Sequence, residues 1–198
     1  MSPFFSKGKP ARLGFMISGA GSNMQAILKA IEAKHLRAKP VMVFSDKKDA
    51  KGLVRAAKFK VPFQTFSPKD FSSRNAYERE IAALFQKSEV DLIICAGYMR
   101  VLHQPVLQAF PHKILNIHPS LLPSFPGLKA QRQAIEAGVK ISGCTVHFVD
   151  EGVDTGPIIA QSAVAVKPGD TEETLAKRIL KAEHALYWRA IEAVLKGS

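Results

Sequence analysis

Short apolar runs typical of β-strands alternate with segments of helical periodicity along most of the chain. The first run, residues 12–17, is followed by Met24, Ile27, Leu28 and Ile31, whose spacing is that of one helix face. Such alternation favours a parallel sheet, because each helix returns the chain to begin the next strand in the same direction. The sequence therefore predicts one α/β domain with a Rossmann-like, doubly wound, mostly parallel sheet.

The same two periodicities predict the remaining elements. Further strands are expected at residues 41–44, 91–96, 114–118, 142–149 and 158–166, and further helices at residues 52–59, 77–85, 129–137 and 171–195. Ser22 or Asn23 is expected to cap the first helix, and residues 171–174 the last. Residues 1–11 are expected to form a flexible extension, which leaves residues 12–198 as the domain.

Asn116 and His118 stand at the end of one predicted strand, where ligands of doubly wound sheets bind. Because side chains alternate along a strand, these two project to the same side. Pro119 ends the strand, since it cannot donate to the ladder. A carboxamide and an imidazole held there can grip one substrate oxygen together. The alternative is that Asn116 caps a turn and His118 is a satisfied core histidine.

An acidic, turn-rich loop at residues 150–157 separates the last two predicted strands. Its Asp154 is expected to orient His118 and to stabilise the protonated ring, because a nearby carboxylate favours the imidazolium. Asp150 and Glu151 have the composition of a solvated turn. His147 lacks the further ligands that a metal site needs. It is expected to be a packing residue or to contact the residues that act on the substrate.

The first strand is followed by a loop of small residues, 19–23, that opens a helix. Backbone amides at a helix N-terminus favour a phosphate. A dinucleotide fingerprint would require glycine where Met24 stands, and the Walker A sequence is absent, so a monophosphate fits better. The alternative is that the loop only caps its helix.

Composition limits the possible partners. Residues 1–60 hold 13 of the 28 Lys and Arg but only 3 of the 17 Asp and Glu. These cations alternate with apolar residues and lack interleaved aromatic residues, which favours a solvated surface over a nucleic-acid site. No apolar run approaches the ~20 residues of a membrane span. Cys95 and Cys144 lack metal-site spacing and are expected to be buried free thiols in a reducing cytoplasm.

Two of these segments together resemble the signature of the folate-dependent formyltransferases. They are the Asn-Ile-His-Pro-Ser-Leu-Leu-Pro stretch at residues 116–123 and the Asp-Thr-Gly-Pro stretch at residues 154–157. The similarity runs from about residue 12 to the last helix and is greatest to members that formylate phosphoribosylglycinamide. It implies the formyltransferase fold and formyl transfer from the co-substrate 10-formyltetrahydrofolate to the glycinamide amine in purine synthesis, without a metal.

The resemblance also implies roles for individual residues. The implied catalytic residues are Asn116, His118 and Asp154, of which the first and the last also contact folate. The residues implied to bind the ribonucleotide are Gly21, Ser22 and Asn23 at its phosphate and Glu183 at its ribose. The other residues implied to bind folate are Arg74 at its anionic tail, Asp150 and Glu151 beside the pterin, and Met99, Arg100, Val101 and Leu102 along the pocket.

The expected partners are therefore small molecules, with neither nucleic acid nor membrane, and the expected assembly is a monomer or a homodimer. The chief alternative is an enzyme like the methionyl-tRNA formyltransferases, which would explain the positive charge but usually carries an added RNA-binding domain. Formyltetrahydrofolate deformylases are also related but normally carry an added regulatory domain. A noncatalytic nucleotide-binding module is the alternative from another functional class.

Overall fold

A computed structural model describes residues 9–197 of the chain. Its strands are β1 (Ala11–Ile17), β2 (Ala38–Ser45), β3 (Phe63–Thr65), β4 (Leu92–Cys95), β5 (Ile114–His118), β6 (Ile141–Phe148) and β7 (Ile158–Ala165). Its α-helices are α1 (Ser22–Glu32), α2 (Lys51–Lys58), α3 (Arg74–Lys87), α4 (Gln104–Ala109), α5 (Ala130–Glu136) and α6 (Glu172–Lys196). One turn of 3-10 helix, Pro68–Asp70, precedes α3.

The seven strands form one sheet in the order β3-β2-β1-β4-β5-β6-β7. Neighbours from β3 to β5 are parallel, whereas β6 runs antiparallel to both β5 and β7. The predicted α/β class and mostly parallel sheet are confirmed. The chain leaves β1 toward β2 on one side and later returns to add β4 on the other side. This reversal of strand order is the point at which open α/β sheets bind ligands.

Alternation along β1 gives the sheet two buried faces. Leu13, Phe15 and Ile17 contribute to one apolar core with α1, α2 and α6, whereas Met16 contributes to a second core with α3 and α4. Gly14 faces the second core, where a Cβ would come within 2.8 Å of the Phe85 ring. The central strands are therefore covered on both sides, so ligand access is left to the strand ends.

Several element boundaries differ from the sequence-based expectations. The first strand begins at Ala11 and β2 begins at Ala38. The two strands pair with each other from these residues onward, before the apolar run of β2 begins. Strand β3 and helix α4 were not predicted. The expected extension falls mainly on residues 1–8, which lie outside the described residues. Thr171 does cap α6, since its side chain accepts a hydrogen bond from the Thr174 N–H.

The expected cap of α1 is wrong. The residue at the N-cap is Gly21, in the left-handed conformation with φ of 66°, and neither Ser22 nor Asn23 makes a side-chain cap hydrogen bond. Glycine is required because a Cβ here would also lie 2.9 Å from the Gly52 Cα. Ser22 and Asn23 therefore belong to the first helical turn, and their side chains are available for other contacts.

Among the helices within residues 9–197, none has the length and apolar character needed to cross a bilayer.

Candidate active site

A cleft of about 620 Å³ opens at the carboxyl ends of β4 and β5. Its walls are formed by residues 97–102 after β4, the end of β5, residues 127–131, and the loop after β6. This volume lies within the range of sites that bind small organic molecules. Four apolar side chains that line the cleft are substantially exposed: Met99, Val101, Leu128 and Val153. The rim therefore offers apolar surface to a flat or aromatic ligand.

Asn116 and His118 both line this cleft from β5. Register with the antiparallel neighbour places Asn116 opposite His147 and His118 opposite Thr145. Their shared side of the strand agrees with the two-residue periodicity. His118 is 5% exposed, so its ring is fixed by its neighbours and not by water.

The ring of His118 lies between two oxygen acceptors. Its Nδ1 is 3.1 Å from Oδ2 of Asp154, and its Nε2 donates to the carbonyl of Phe125 at 2.8 Å. A neutral imidazole carries one proton and would leave one nitrogen lone pair facing an oxygen. The doubly protonated ring satisfies both contacts. The expected pairing of His118 with Asp154 is thus present in the structure.

Asp154 connects three parts of the site. Besides His118, its Oδ2 accepts the backbone N–H of Gly127 at 2.8 Å, and its Oδ1 lies 3.5 Å from Nε2 of His147. Burial alone would raise the pKa of Asp154. The contacts from His147, the Gly127 N–H and the charge of His118 outweigh burial, and the pKa is lowered from its usual value. The carboxylate therefore stays ionised at neutral pH.

The backbone of Asp154 is left-handed, with φ of 57°. This conformation is uncommon outside glycine, and Asp and Asn are the side chains that enter it more readily. It turns the carboxylate back toward β5. The loop is further fixed by Asp150, whose Oδ1 accepts from the Gly152 N–H at 3.1 Å and from the Thr155 hydroxyl at 2.7 Å.

Gly156 sets the path of the same loop. A Cβ at this position would lie 1.9 Å from the carbonyl oxygen of Phe148, beside the hydrogen bond from the Phe148 N–H to the Pro157 carbonyl at 2.9 Å. The glycine of the Asp-Thr-Gly-Pro stretch is thus explained by close backbone approach.

We expect Gly156→Ala to displace Asp154 and to lower the free energy of unfolding by about 1–3 kcal/mol, as overpacking usually does. Denaturant unfolding together with kcat measures both effects. Gly19→Ala is the control for stability, since a Cβ there meets no atom within 4 Å. Unchanged unfolding of Gly156→Ala would contradict this account of the loop.

His147 supports two residues of the site, which is one of the two roles expected for it. Its Nε2 lies 3.2 Å from the Asn116 amide, while its Nδ1 donates to the Phe148 carbonyl at 2.8 Å. It therefore contacts both Asn116 and Asp154. Gly127 and Phe125 were missed, because their contacts to the site are made by backbone atoms of an irregular segment.

The residues expected to bind folate fall into two groups. Met99, Arg100, Val101, Leu102 and Asp150 line the cleft, as do Asn116 and Asp154. Arg74 and Glu151 lie outside its lining. Arg74 donates to the Val101 carbonyl at 2.8 Å, and Glu151 accepts from the Gln104 amide at 2.5 Å. Both are thus joined to elements that flank the cleft.

The residues expected to bind a ribonucleotide gather at the start of α1. Asn23 donates from its amide to Oε2 of Glu183 at 2.7 Å, which links α1 to α6. Both side chains are buried. Burial raises the pKa of Glu183, and the bond from Asn23 opposes that rise. The loop adjoins the cleft, because the N–H of Ser18 donates to the Gly97 carbonyl at 3.0 Å.

Within residues 9–197, no group of three or more His, Cys, Asp or Glu side chains is arranged to hold a metal ion.

Comparison with known proteins gives consistent matches over this whole region. A family model described as formyl transferase matches residues 11–191. Phosphoribosylglycinamide formyltransferase of Bacillus subtilis is 47% identical over 178 residues, which cover 90% of this chain and 91% of that protein. The trifunctional purine biosynthetic protein adenosine-3 of Drosophila melanogaster is 48% identical over 189 residues, 94% of this chain. The chain spans only 14% of that longer relative.

Solved structures agree with the sequence matches. Glycinamide ribonucleotide transformylase 1 from Symbiobacterium toebii superposes with a TM-score of 0.95 at 49% identity, covering 99% of this chain and 94% of that one. Phosphoribosylglycinamide formyltransferase from Brucella melitensis superposes with a TM-score of 0.91 at 48% identity, covering 96% and 98%.

Proposed function

Because this chain belongs to the formyl transferase family, we propose that it transfers the formyl group of 10-formyltetrahydrofolate to the amine of 5′-phosphoribosylglycinamide, a step of purine synthesis. The Bacillus subtilis relative that carries the name of this activity matches this chain over 91% of its own length. The observation that carries the proposal is the contact of the His118 ring with the Asp154 carboxylate, 3.1 Å from Nδ1 to Oδ2, beside Asn116 in one cleft.

The chemistry requires no enzyme nucleophile. The substrate amine attacks the formyl carbon, a C–N bond forms, and the carbonyl electrons move onto oxygen. The Asn116 amide and the His118 imidazolium are the donors available to that oxyanion, and such preorganised donors are worth ~10²–10³ in rate each. Collapse of the tetrahedral intermediate then breaks the bond to N10 of the folate, which leaves with a proton, while the amine loses one.

Each site residue has a defined part in these steps. Nε2 of His118 donates to the Phe125 carbonyl in the structure. To act on the substrate, it must give up this acceptor and donate to the substrate oxygen instead. The ionised Asp154 keeps the ring oriented and charged while it does so. The exposed apolar rim of Met99, Val101, Leu128 and Val153 suits the aromatic rings of folate. Arg74 serves the anionic tail, with Asp150 and Glu151 beside the pterin.

The ribonucleotide is assigned to the loop that precedes α1. Gly21, Ser22 and Asn23 lie at the N-terminus of an 11-residue helix, where backbone N–H groups favour a phosphate. Glu183, held by Asn23, is the carboxylate available to the ribose hydroxyls. This arrangement would place the glycinamide amine toward the cleft.

We expect Ser22→Ala to raise the KM for the ribonucleotide while the KM for folate stays unchanged, because Ser22 is placed at the phosphate. Asn23 is the less selective choice, since its removal also leaves Glu183 without its donor. Steady-state kinetics with each substrate varied in turn measure the two constants. An unchanged ribonucleotide KM with a raised folate KM would show that the loop serves the other ligand.

A direct assay tests the proposed function. Purified protein is supplied with 10-formyltetrahydrofolate and, in parallel reactions, with phosphoribosylglycinamide or initiator methionyl-tRNA as acceptor. We expect formylation of the ribonucleotide and negligible formylation of the tRNA. Efficient formylation of the tRNA would transfer the assignment to that enzyme class, and no turnover of either acceptor would favour a noncatalytic module.

The expected setting is a reducing cytoplasm with small-molecule partners alone. The free, buried thiols of Cys95 and Cys144 support the reducing compartment. The expected assembly is a monomer or a homodimer. No metal enters the proposed steps, since the substrate amine is itself the nucleophile.

A further inference from the structure

Residues 97–102 form one wall of the cleft, and together with His103 they make a segment that belongs to no helix or strand. Side chains from three other elements hold this wall segment in place. The hydroxyl of Ser18, just after β1, accepts the Met99 N–H at 3.0 Å. Asp46, just after β2, accepts from Nε of Arg100 at 2.8 Å. The third attachment is made by Glu78 on α3.

Glu78 is a buried carboxylate surrounded by donors from the wall segment and its own helix. Its side chain is 3% exposed. Oε2 accepts the backbone N–H of His103 at 2.8 Å, while Oε1 lies 3.3 Å from Nδ1 of His103 and 3.4 Å from Nε of Arg74. A carboxylate buried away from water needs hydrogen-bond donors around it. The position of Glu78 therefore determines where His103 and Arg74 lie.

The donors around Glu78 also fix the backbone of the wall segment. Arg74 donates from Nη2 to the Val101 carbonyl at 2.8 Å, and Nδ1 of His103 lies 3.2 Å from the same oxygen. Nδ1 of His103 thus lies between two acceptors and carries the ring proton. The Val101 carbonyl is thus held toward α3. Val101 itself is 42% exposed and lines the cleft.

We propose that Glu78 is a positioning residue for the folate co-substrate, which presets residues 99–103 and the Arg74 guanidinium before the ligand arrives. The inference rests on the proposed function, because that function makes this wall the folate side of the cleft. Glu78 does not line the cleft and acts only through Arg74 and the wall segment. A preset wall strengthens binding because little conformational entropy is lost on ligand arrival.

The variant Glu78→Gln tests this role. The amide keeps the size of the side chain and one acceptor oxygen, but it removes the charge and turns an NH₂ group toward donors. We expect the KM for 10-formyltetrahydrofolate to rise about tenfold, as for loss of a hydrogen bond to a charged group. The kcat and the ribonucleotide KM should stay within about twofold. The variant loses only binding of the folate co-substrate, and it loses this equally in the ground state and the transition state. Glu80→Gln, exposed on the same helix, makes the same charge change and should leave all three constants unchanged.

A second measurement reports on the wall segment without turnover. Arg100 is half exposed within it, so trypsin cleavage after Arg100 is a probe of local opening. We expect Glu78→Gln to be cleaved faster than the unmodified protein and Glu80→Gln to be cleaved at the unmodified rate.

The two measurements separate the inference from the proposed function. An unchanged folate KM in Glu78→Gln, or a fall in kcat alone, would overturn the positioning role in an active enzyme. If the unmodified protein formylates no ribonucleotide, the proposed function fails. Cleavage after Arg100 needs no turnover, so an unchanged cleavage rate in Glu78→Gln would overturn the anchoring by Glu78 whether or not the protein is active.

Discussion

Asp154→Asn is expected to lower kcat by at least about 100-fold, the lower end for loss of acid–base assistance. The amide can still accept the Gly127 N–H, but it removes the negative charge that faces His118 at 3.1 Å. The fold should survive, because asparagine also tolerates the left-handed backbone found at this position. Ribonucleotide affinity should be largely kept, since that ligand is assigned to the α1 loop.

A double-mutant comparison shows whether the two residues act as one unit. His118→Ala should be as damaging as Asp154→Asn, and the double variant should be little worse than either single one, because groups that act together are not additive. Asp49→Asn is the control, an exposed aspartate with the same change of charge. Near-normal kcat in folded Asp154→Asn, or losses that multiply strictly, would refute the coupling.

Asn116→Ala is expected to lower kcat by ~10²–10³ with little change in the ribonucleotide KM, as removal of one oxyanion donor usually does. Asn116 lies in the middle of β5, half-buried and beside His147, so its truncation removes a donor and leaves the paired strand in place. Steady-state kinetics and a thermal melt measure the two parts of this expectation.

Gln86→Ala serves as the control for Asn116, since Gln86 is a carboxamide exposed on α3. A kcat within about twofold of the unmodified value in Asn116→Ala would show that Asn116 is not a donor to the transition state.

Elements with strong periodicity could be predicted from the sequence. The stripe of Met24, Ile27 and Leu28 is the buried face of α1, and the apolar run before Pro119 is β5. Strand β3 escaped prediction because its three residues lie at the edge of the sheet and are largely exposed. Helix α4, of six residues, is too short to show a helical period. Local pattern therefore identifies the elements with a buried face and misses those without one.

The part of the candidate site formed by side chains on a strand could be predicted from the sequence. Asn116 and His118 share a face by strand geometry alone. The Asp154 contact joins residues 36 positions apart, and its geometry depends on a left-handed residue and on the Gly127 N–H. The Pro126-Gly127 pair marks a turn in the sequence, but no local rule tells which side chain that turn will meet. Backbone N–H and C=O groups carry no residue-type signal, so the Gly127 donor and the Phe125 acceptor could not be found from the sequence.

The left-handed backbone of Asp154 also restricts how this position can change among relatives. Glutamate is the nearest chemical substitute, yet it has no special tolerance of positive φ, whereas asparagine and glycine do. A lineage released from selection for formyl transfer is therefore expected to drift toward asparagine or glycine here, with the loop kept. A relative with an intact loop and either residue would be a former enzyme that retains the shape of its ancestor without its proton chemistry.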